Sequence, residues 1–271
     1  MISEWSGAEW KDAVLLPICK GNWSVEGLER VILAAVEECA LRCCRDNDDR
    51  YVITTLSGGV DSSTCTAMIR KIFPFIPIYS FTIGFSATHP DILAASEVSI
   101  CYSTFHHELI PTSEEKKLAA EEFKRSFRNR EMSLGDLAVF MLYKHIQGCF
   151  TARSLSAIAH DGIDELLGGY WQHRDCPSEE KRFKAFERCW HELPENHLVP
   201  LGTTAKGFSI KPIFPYLTMG VVEYISQIPL QERTSFEESK IPLRRIAEKY
   251  LPREIIERQK LGFCSALEDI K

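Results

Sequence analysis

The sequence predicts an α/β fold built on a doubly wound parallel sheet. Three observations carry that expectation. Short apolar runs alternate with helix-patterned segments from residue 51 to about residue 175. The first of these runs is β-branched and apolar almost throughout, as a strand covered on both faces requires. A glycine-rich turn, Ser57-Gly58-Gly59-Val60-Asp61-Ser62-Ser63, directly follows that strand and opens a helix.

Each element has its own signal. Residues 24–45 place apolar side chains at helical spacing, with Ser24 as the N-cap. The polar cluster Asp46-Asn47-Asp48-Asp49 ends that helix, and YVITTL (51–56) reads as the first strand. STCTAMIRKI continues as a helix, and IPIYSFTIGF (76–85) is the second strand. A helix at about 90–103 leads to a third strand, FHHELI (105–110), then to charged helices at about 112–128 and 133–148. SLSAIAH (154–160) is the fourth strand and feeds DGIDELLGGY. Beyond residue 176 the pattern is helical, punctuated by prolines, with no second strand–helix alternation. The chain therefore divides into an N-terminal helical segment (1–50), an α/β core (51–175) and a helical C-terminal portion (176–271) of the same domain, with a sheet of four or five strands.

Composition narrows the function. The 271 residues carry a net charge of −6, which argues against a nucleic-acid coat, since such binding is driven by basic surface. No apolar run approaches the ~20 residues of a membrane span, and the N-terminus lacks the basic start of a signal peptide. A cytoplasmic protein is expected. Its ten cysteines show no C-x-x-C pair and no Cys/His zinc spacing, so they read as reduced, mostly buried thiols. Trp5, Trp10 and Trp23 read as core cover.

The turn carries the chemistry. A glycine-rich loop at a helix N-terminus presents N–H groups to an anion. Gly58 and Gly59 free the backbone, and Ser57, Ser62 and Ser63 add hydroxyls. Bare phosphate would repel Asp61, which suits it to a Mg²⁺ that bridges phosphates. Neither the Walker pattern nor G-x-G-x-x-G is present here. His106 and His107 alternate along the third strand and so face opposite sides of the sheet.

SGGVDSS resembles the pyrophosphate loop of the N-type ATP pyrophosphatases. DGIDELLGGY (161–170) is similar to the G-E-G-S-D-E-x-F-G-G-Y segment of asparagine synthetases. Phe81-Thr82-Ile83-Gly84-Phe85, His106-His107-Glu108 and SKIPLRRIAEKYLPREIIERQKLGF (239–263) resemble further segments of that family, in the same order. The likeness is to the synthetase domain of asparagine synthetases and their relatives, the β-lactam and carbapenam synthetases and lasso-peptide cyclases.

This resemblance implies an ATP-dependent, AMP-forming carbon–nitrogen ligase that adenylates a small carboxylate and transfers ammonia or an amine. Residue by residue, it implies that Ser57, Gly58, Gly59, Asp61, Ser62 and Ser63 bind pyrophosphate, and that backbone at Thr55 and Ile83 frames adenine. Ala159 and His160 end the fourth strand beside the nucleotide, Asp61 and Asp164 hold Mg²⁺, and Lys240 and Arg244 lie near the phosphates. Lys260 matches the lysine that stabilises charge on the α-phosphate and the leaving pyrophosphate. A shared Mg²⁺ requires the Asp61 and Asp164 carboxylates within about 10 Å of each other.

The sequence departs from the family pattern at three places. Fewer than 60 residues precede the loop, too few for a glutaminase domain, so a separate glutaminase subunit or free ammonia is implied as the nitrogen source. His160-Asp161-Gly162 replaces G-E-G, which makes Asp161 the expected proton acceptor with His160 in reserve. Pro215-Tyr216-Leu217-Thr218 replaces P-F-L-D and loses a carboxylate. These changes leave the identity of the carboxylate open. The competing readings are a tRNA-modifying pyrophosphatase with the same loop and a non-catalytic nucleotide-binding relative.

Overall fold

The structure, a computed structural model, describes residues 21–48, 50–127 and 131–258. Helix α1 (Val25–Asp46) is capped by Ser24, whose hydroxyl accepts from the Gly27 N–H at 3.0 Å. It is followed by β1 (Val52–Thr55), α2 (Val60–Ile72), β2 (Ile78–Ile83), α3 (Pro90–Cys101) and β3 (Phe105–Leu109). The charged α4 (Ser113–Ser126) and the mostly apolar α5 (Leu134–Cys149) lead to β4 (Leu155–Ile158). Short helices α6 (Ile163–Leu167) and α7 (Trp171–Arg174) precede α8 (Glu179–Leu193), a π-helical turn (Pro194–Leu198) and α9 (Val199–Gly207). After β5 (Ile210–Ile213) come α10 (Met219–Ser226), α11 (Leu230–Arg233), α12 (Ile241–Ala247) and α13 (Arg253–Glu257).

All strand pairs are parallel, in the order β3-β2-β1-β4-β5. Side-chain alternation splits the core into two layers. On one face, Val52 and Ile158 pack with α1, α2, α3, α6, α10 and α12. On the other, Ile53, Phe81, Leu155 and Ala157 pack with α4, α5 and α9. Trp23 is half-buried against the first layer, while Trp5 and Trp10 lie outside the described residues.

One expectation needs correction. The region beyond residue 176, read as purely helical, supplies β5, so the sheet is completed from the C-terminal portion. The segment is only Ile-Lys-Pro-Ile, and a proline inside so short a run argues against a strand. It is tolerated because β5 is an edge strand whose only partner is β4.

The polar cluster that ends α1 does more than end it. Among the described residues, β1 and β4 pair in register only at Thr54 and Ile158. Below that point the buried Asn47 side chain bridges the two strands. Its Nδ2 donates to the Ser156 carbonyl at 2.9 Å and reaches the Tyr51 carbonyl at 3.5 Å, while its Oδ1 accepts from the Ser156 N–H at 2.8 Å. The amide thus replaces missing ladder bonds, which buried backbone groups must have. Asn47→Ala takes the partner from the Ser156 N–H and leaves the Ser156 carbonyl with the Cys43 thiol, a weak donor at 3.2 Å, and should cost about 1–3 kcal/mol in urea unfolding. A loss well under about 1 kcal/mol would mean that water or a backbone shift replaces the bridge.

Candidate active site

The Ser57–Ser63 loop leaves the C-terminal end of β1, where the strand order reverses between β1 and β4. Ligands in open α/β sheets bind at such switch points. Gly58 is left-handed (φ 67), and a Cβ there would lie 2.5 Å from the backbone of Ala95, so the loop can approach α3 only as glycine. Gly59 is the N-cap of α2. Ser62 closes the loop on itself: its Oγ accepts from the Ser57 N–H at 3.2 Å.

The loop opens onto a cleft of about 360 Å³. Thr55, Ser57, Asp61, Ser62, Ile83, His160, Asp161 and Asp164, all expected from the sequence, line it. Gly58, Gly59, Ala159 and Ser63 are buried and do not line it. The Ala159 N–H donates to the Ile213 carbonyl, fixing the end of β4 against β5. Arg244 does not line the cleft. Its guanidinium donates to the main-chain carbonyls of Ser239 and Ile256, tying α12 to α13 rather than reaching a phosphate. Lys260 lies outside the described residues, but Arg258 donates to the Ser57 carbonyl at 3.4 Å and pairs with Asp91. Arg258 therefore lies beside the loop.

Lys240, at the entry to α12, is buried and does not line the cleft. Its Nζ is 2.6 Å from Asp61 Oδ2 and 2.6 Å from Asp164 Oδ1, with all three side chains buried. The contacting carboxylate oxygens are therefore at most twice that distance apart, well inside the limit for a shared cation. Gly169 makes room for the cluster, since a Cβ there would sit 1.8 Å from Asp164 Oδ1 and 2.6 Å from Lys240 Cε. The Tyr216 hydroxyl donates to the Asp61 carbonyl at 2.8 Å, so the segment that lost the family carboxylate still braces the loop.

His160 Nε2 is 2.9 Å from the Thr55 carbonyl and 3.0 Å from Thr54 Oγ1. A carbonyl only accepts, so Nε2 carries the proton and the ring is oriented by β1. Asp161 is half-exposed at the cleft wall. Glu165, which the sequence reading passed over, is buried in the same wall and accepts from the Tyr170 hydroxyl at 2.7 Å. Burial, with the charge of Asp164 adding to it, pushes its carboxyl up to about 7. The signal was present as the acidic neighbour of Asp164 and the tyrosine that ends the same segment. Its shift comes from burial, which the sequence does not state. His106 and His107 face opposite sides of the sheet as expected, and neither lines the cleft.

The asparagine synthase family model matches residues 32–203 and 184–270. The chain belongs to the asparagine synthase family. It is 27% identical over 240 residues to the glutamine-hydrolyzing asparagine synthetase of Gallus gallus and 26% identical over 241 residues to that of Homo sapiens. Each match covers 82% of this chain and 41% of the relative, so the chain spans well under half the length of these proteins. Among solved structures, an NAD+ synthetase from Burkholderia pseudomallei matches over 89% of this chain and 93% of that one, at 14% identity and a TM-score of 0.36, too distant to speak to function. No helix among the described residues is long and apolar enough to cross a membrane.

Two outcomes follow from this geometry. Lys240→Met should destabilise the fold by about 3–5 kcal/mol, because it leaves two buried carboxylates facing each other. Mg²⁺ should then raise the variant's melting temperature more than the wild type's; an equal response would mean that the carboxylates do not take a divalent cation. For Glu165, a folded-state pKa raised above 4.5 means that stability is full below that value and is lost as pH rises towards about 7. Glu165→Gln, which keeps an acceptor for Tyr170, should gain roughly 1–3 kcal/mol on the wild type between about pH 5 and pH 7.5. Parallel pH curves for the two proteins would refute the raised pKa.

Proposed function

We propose that the chain is an AMP-forming, ATP-dependent carbon–nitrogen ligase of the asparagine synthetase type. The observation that carries this reading is the pairing of Asp61 with Asp164 through Lys240, beside a phosphate-type loop at the switch point of the sheet. Family membership supports the same chemistry.

In this mechanism the main-chain N–H groups at the start of α2 and the Ser57 and Ser62 hydroxyls hold the pyrophosphate end of ATP. Backbone at Thr55 and Ile83 flanks the adenine. A convergent pair of buried carboxylates is a hard-oxygen donor set that suits Mg²⁺, so Asp61 and Asp164 would hold it, and there it would neutralise phosphate charge. Lys240 holds the place between them that the ion would take, and so sets the spacing of the pair. A substrate carboxylate oxygen attacks the α-phosphorus, the bond to the bridging oxygen breaks, and pyrophosphate leaves. Ammonia or an amine then attacks the acyl carbon and AMP departs with the electron pair of the acyl–oxygen bond. The nitrogen must lose a proton, and Asp161 and Glu165 are the carboxylates in the cleft wall placed to take it. An acid of pKa near operating pH is the better proton carrier, which favours Glu165 when the cleft is closed to water. His160, held by β1, shapes the wall between the loop and Asp161. Nitrogen reaches the site as free ammonia, as an amine, or from a separate glutaminase.

The test is a product assay with ATP, Mg²⁺, a panel of small carboxylates and ammonium. AMP and pyrophosphate should form in equal amounts with at least one carboxylate. ADP and phosphate as the only products would overturn the reading.

A further inference from the structure

Outside the cleft, three metal-ligating side chains converge. His107 lies in β3, and His145 and Cys149 lie one turn apart near the end of α5. One ligand atom from each of the three lies within 4.8 Å of the others, and Cys149 Sγ is 3.9 Å from His107 Nδ1 and 3.9 Å from His145 Nε2. Tetrahedral zinc, with Zn–S about 2.3 Å and Zn–N about 2.0–2.1 Å, holds its ligand atoms about 3.3–3.6 Å apart. The two sulfur–nitrogen distances are thus a few tenths of an ångström above ligating distance, and the two imidazoles, within 4.8 Å of each other, need only a small ring rotation to close on an ion. We propose that His107, His145 and Cys149 form a binding site for a zinc-class divalent ion, with three protein ligands and a fourth position open to solvent.

Several features separate this cluster from chance proximity. The His145–Cys149 spacing puts both side chains on one helix face. His107 is delivered by the edge strand of the sheet, stacked on Phe81 with ring centroids 4.7 Å apart and planes 13° apart. The same buried Phe81 meets His145 edge-on at 5.9 Å. One rigid aromatic ring thus orients both imidazoles before any ion arrives. Cys149 is exposed, which leaves an entry path and room for a water. On binding, the ion displaces the thiol proton to solvent and no electrons change hands. One thiolate and two imidazoles select a borderline-soft ion such as Zn²⁺ over Mg²⁺.

None of the three ligands lines the nucleotide cleft, but the two sites adjoin: Phe81 lines the cleft, as does α5 as far as Leu142. At 1.5 Å per residue, Leu142 and Cys149 are about 10 Å apart along the helix axis. Pinning Cys149 and His145 to His107 would fasten the end of α5 to the edge of the sheet.

The probe is Co²⁺, titrated into tag-free full-length chain kept reduced. The expected result is one equivalent bound, with a near-ultraviolet thiolate-to-cobalt band and tetrahedral visible absorption, both abolished by one equivalent of Zn²⁺ and untouched by Mg²⁺. Cys149→Ser should remove the near-ultraviolet band, and His145→Gln should weaken Co²⁺ binding by more than about 100-fold, since losing even an outer-shell partner costs roughly 10–100-fold. Both positions are at least partly exposed, and circular dichroism of each variant checks that it folds. Absence of the band in wild type overturns the proposal. So does a band that survives Cys149→Ser, which assigns it to another thiol such as Cys101 or Cys176, and so does an undiminished affinity in His145→Gln, which reduces it to a lone-thiol adduct.

Discussion

The buried contact of Lys240 with Asp61 and Asp164 is the constraint around which the cleft is organised. It joins three segments far apart in sequence: the start of α2, helix α6 and the entry to α12. Taking three charges out of water is costly, and such clusters often add little net stability. What they impose is a unique arrangement, because any misplacement leaves a charge buried alone. The backbone shows the same demand. Lys240 is left-handed (φ 56), an uncommon conformation for a residue with a side chain, and its N–H is held by the Leu167 carbonyl at 3.2 Å. Strain of this kind, of order 1–3 kcal/mol, persists where the surroundings over-determine it and tends to collect at functional sites.

From that point outward, each brace of the cleft can be traced to a neighbour. Gly169 admits the cluster, Tyr216 holds the carbonyl of Asp61, and Arg258 holds the carbonyl of Ser57 while pairing with Asp91 on α3. The loop is thus fixed from the C-terminal portion and from the adjacent helix, leaving Ser57 and Ser62 on the cleft side. Asn47 does a related task at the other end of the sheet, holding β4 to β1 where their ladder gives out. The switch point that receives the ligand is therefore supported at both ends.

Much of this was legible in the chain because its signals are local. The strand–loop–helix grammar around residues 51–72 depends on burial of a short apolar run and on glycines at a tight turn, both of which are sequence properties. β5 was not legible, because Pro212 argues against a strand unless one knows that the segment lies at an edge. Lys240 and Arg244 are both basic residues of one helix entry, and nothing in their spacing says which turns inward. Three-dimensional closure decides it: Lys240 meets two carboxylates and Arg244 meets carbonyls. Glu165 and the His107–His145–Cys149 cluster were hidden for the same reason, since their chemistry comes from burial and from a strand meeting a helix.

The charge of the cleft sets a condition on what can enter it. Asp61, Asp91, Asp136, Asp161, Asp164 and Glu165 all line it, and no lysine or arginine is among the described lining residues. A bare triphosphate would meet net repulsion there, and the loop can answer it only with dipoles: main-chain N–H groups and hydroxyls. Lys240 offsets part of the acidic charge, and a protonated Glu165 would remove one more unit. What remains must be balanced by cations that arrive with the nucleotide. An acidic wall that is unfavourable to free phosphate and favourable to a cation-bearing nucleotide discriminates between the two. That discrimination follows from Coulomb attraction and repulsion in a partly dry cleft, where charges act more strongly than in water.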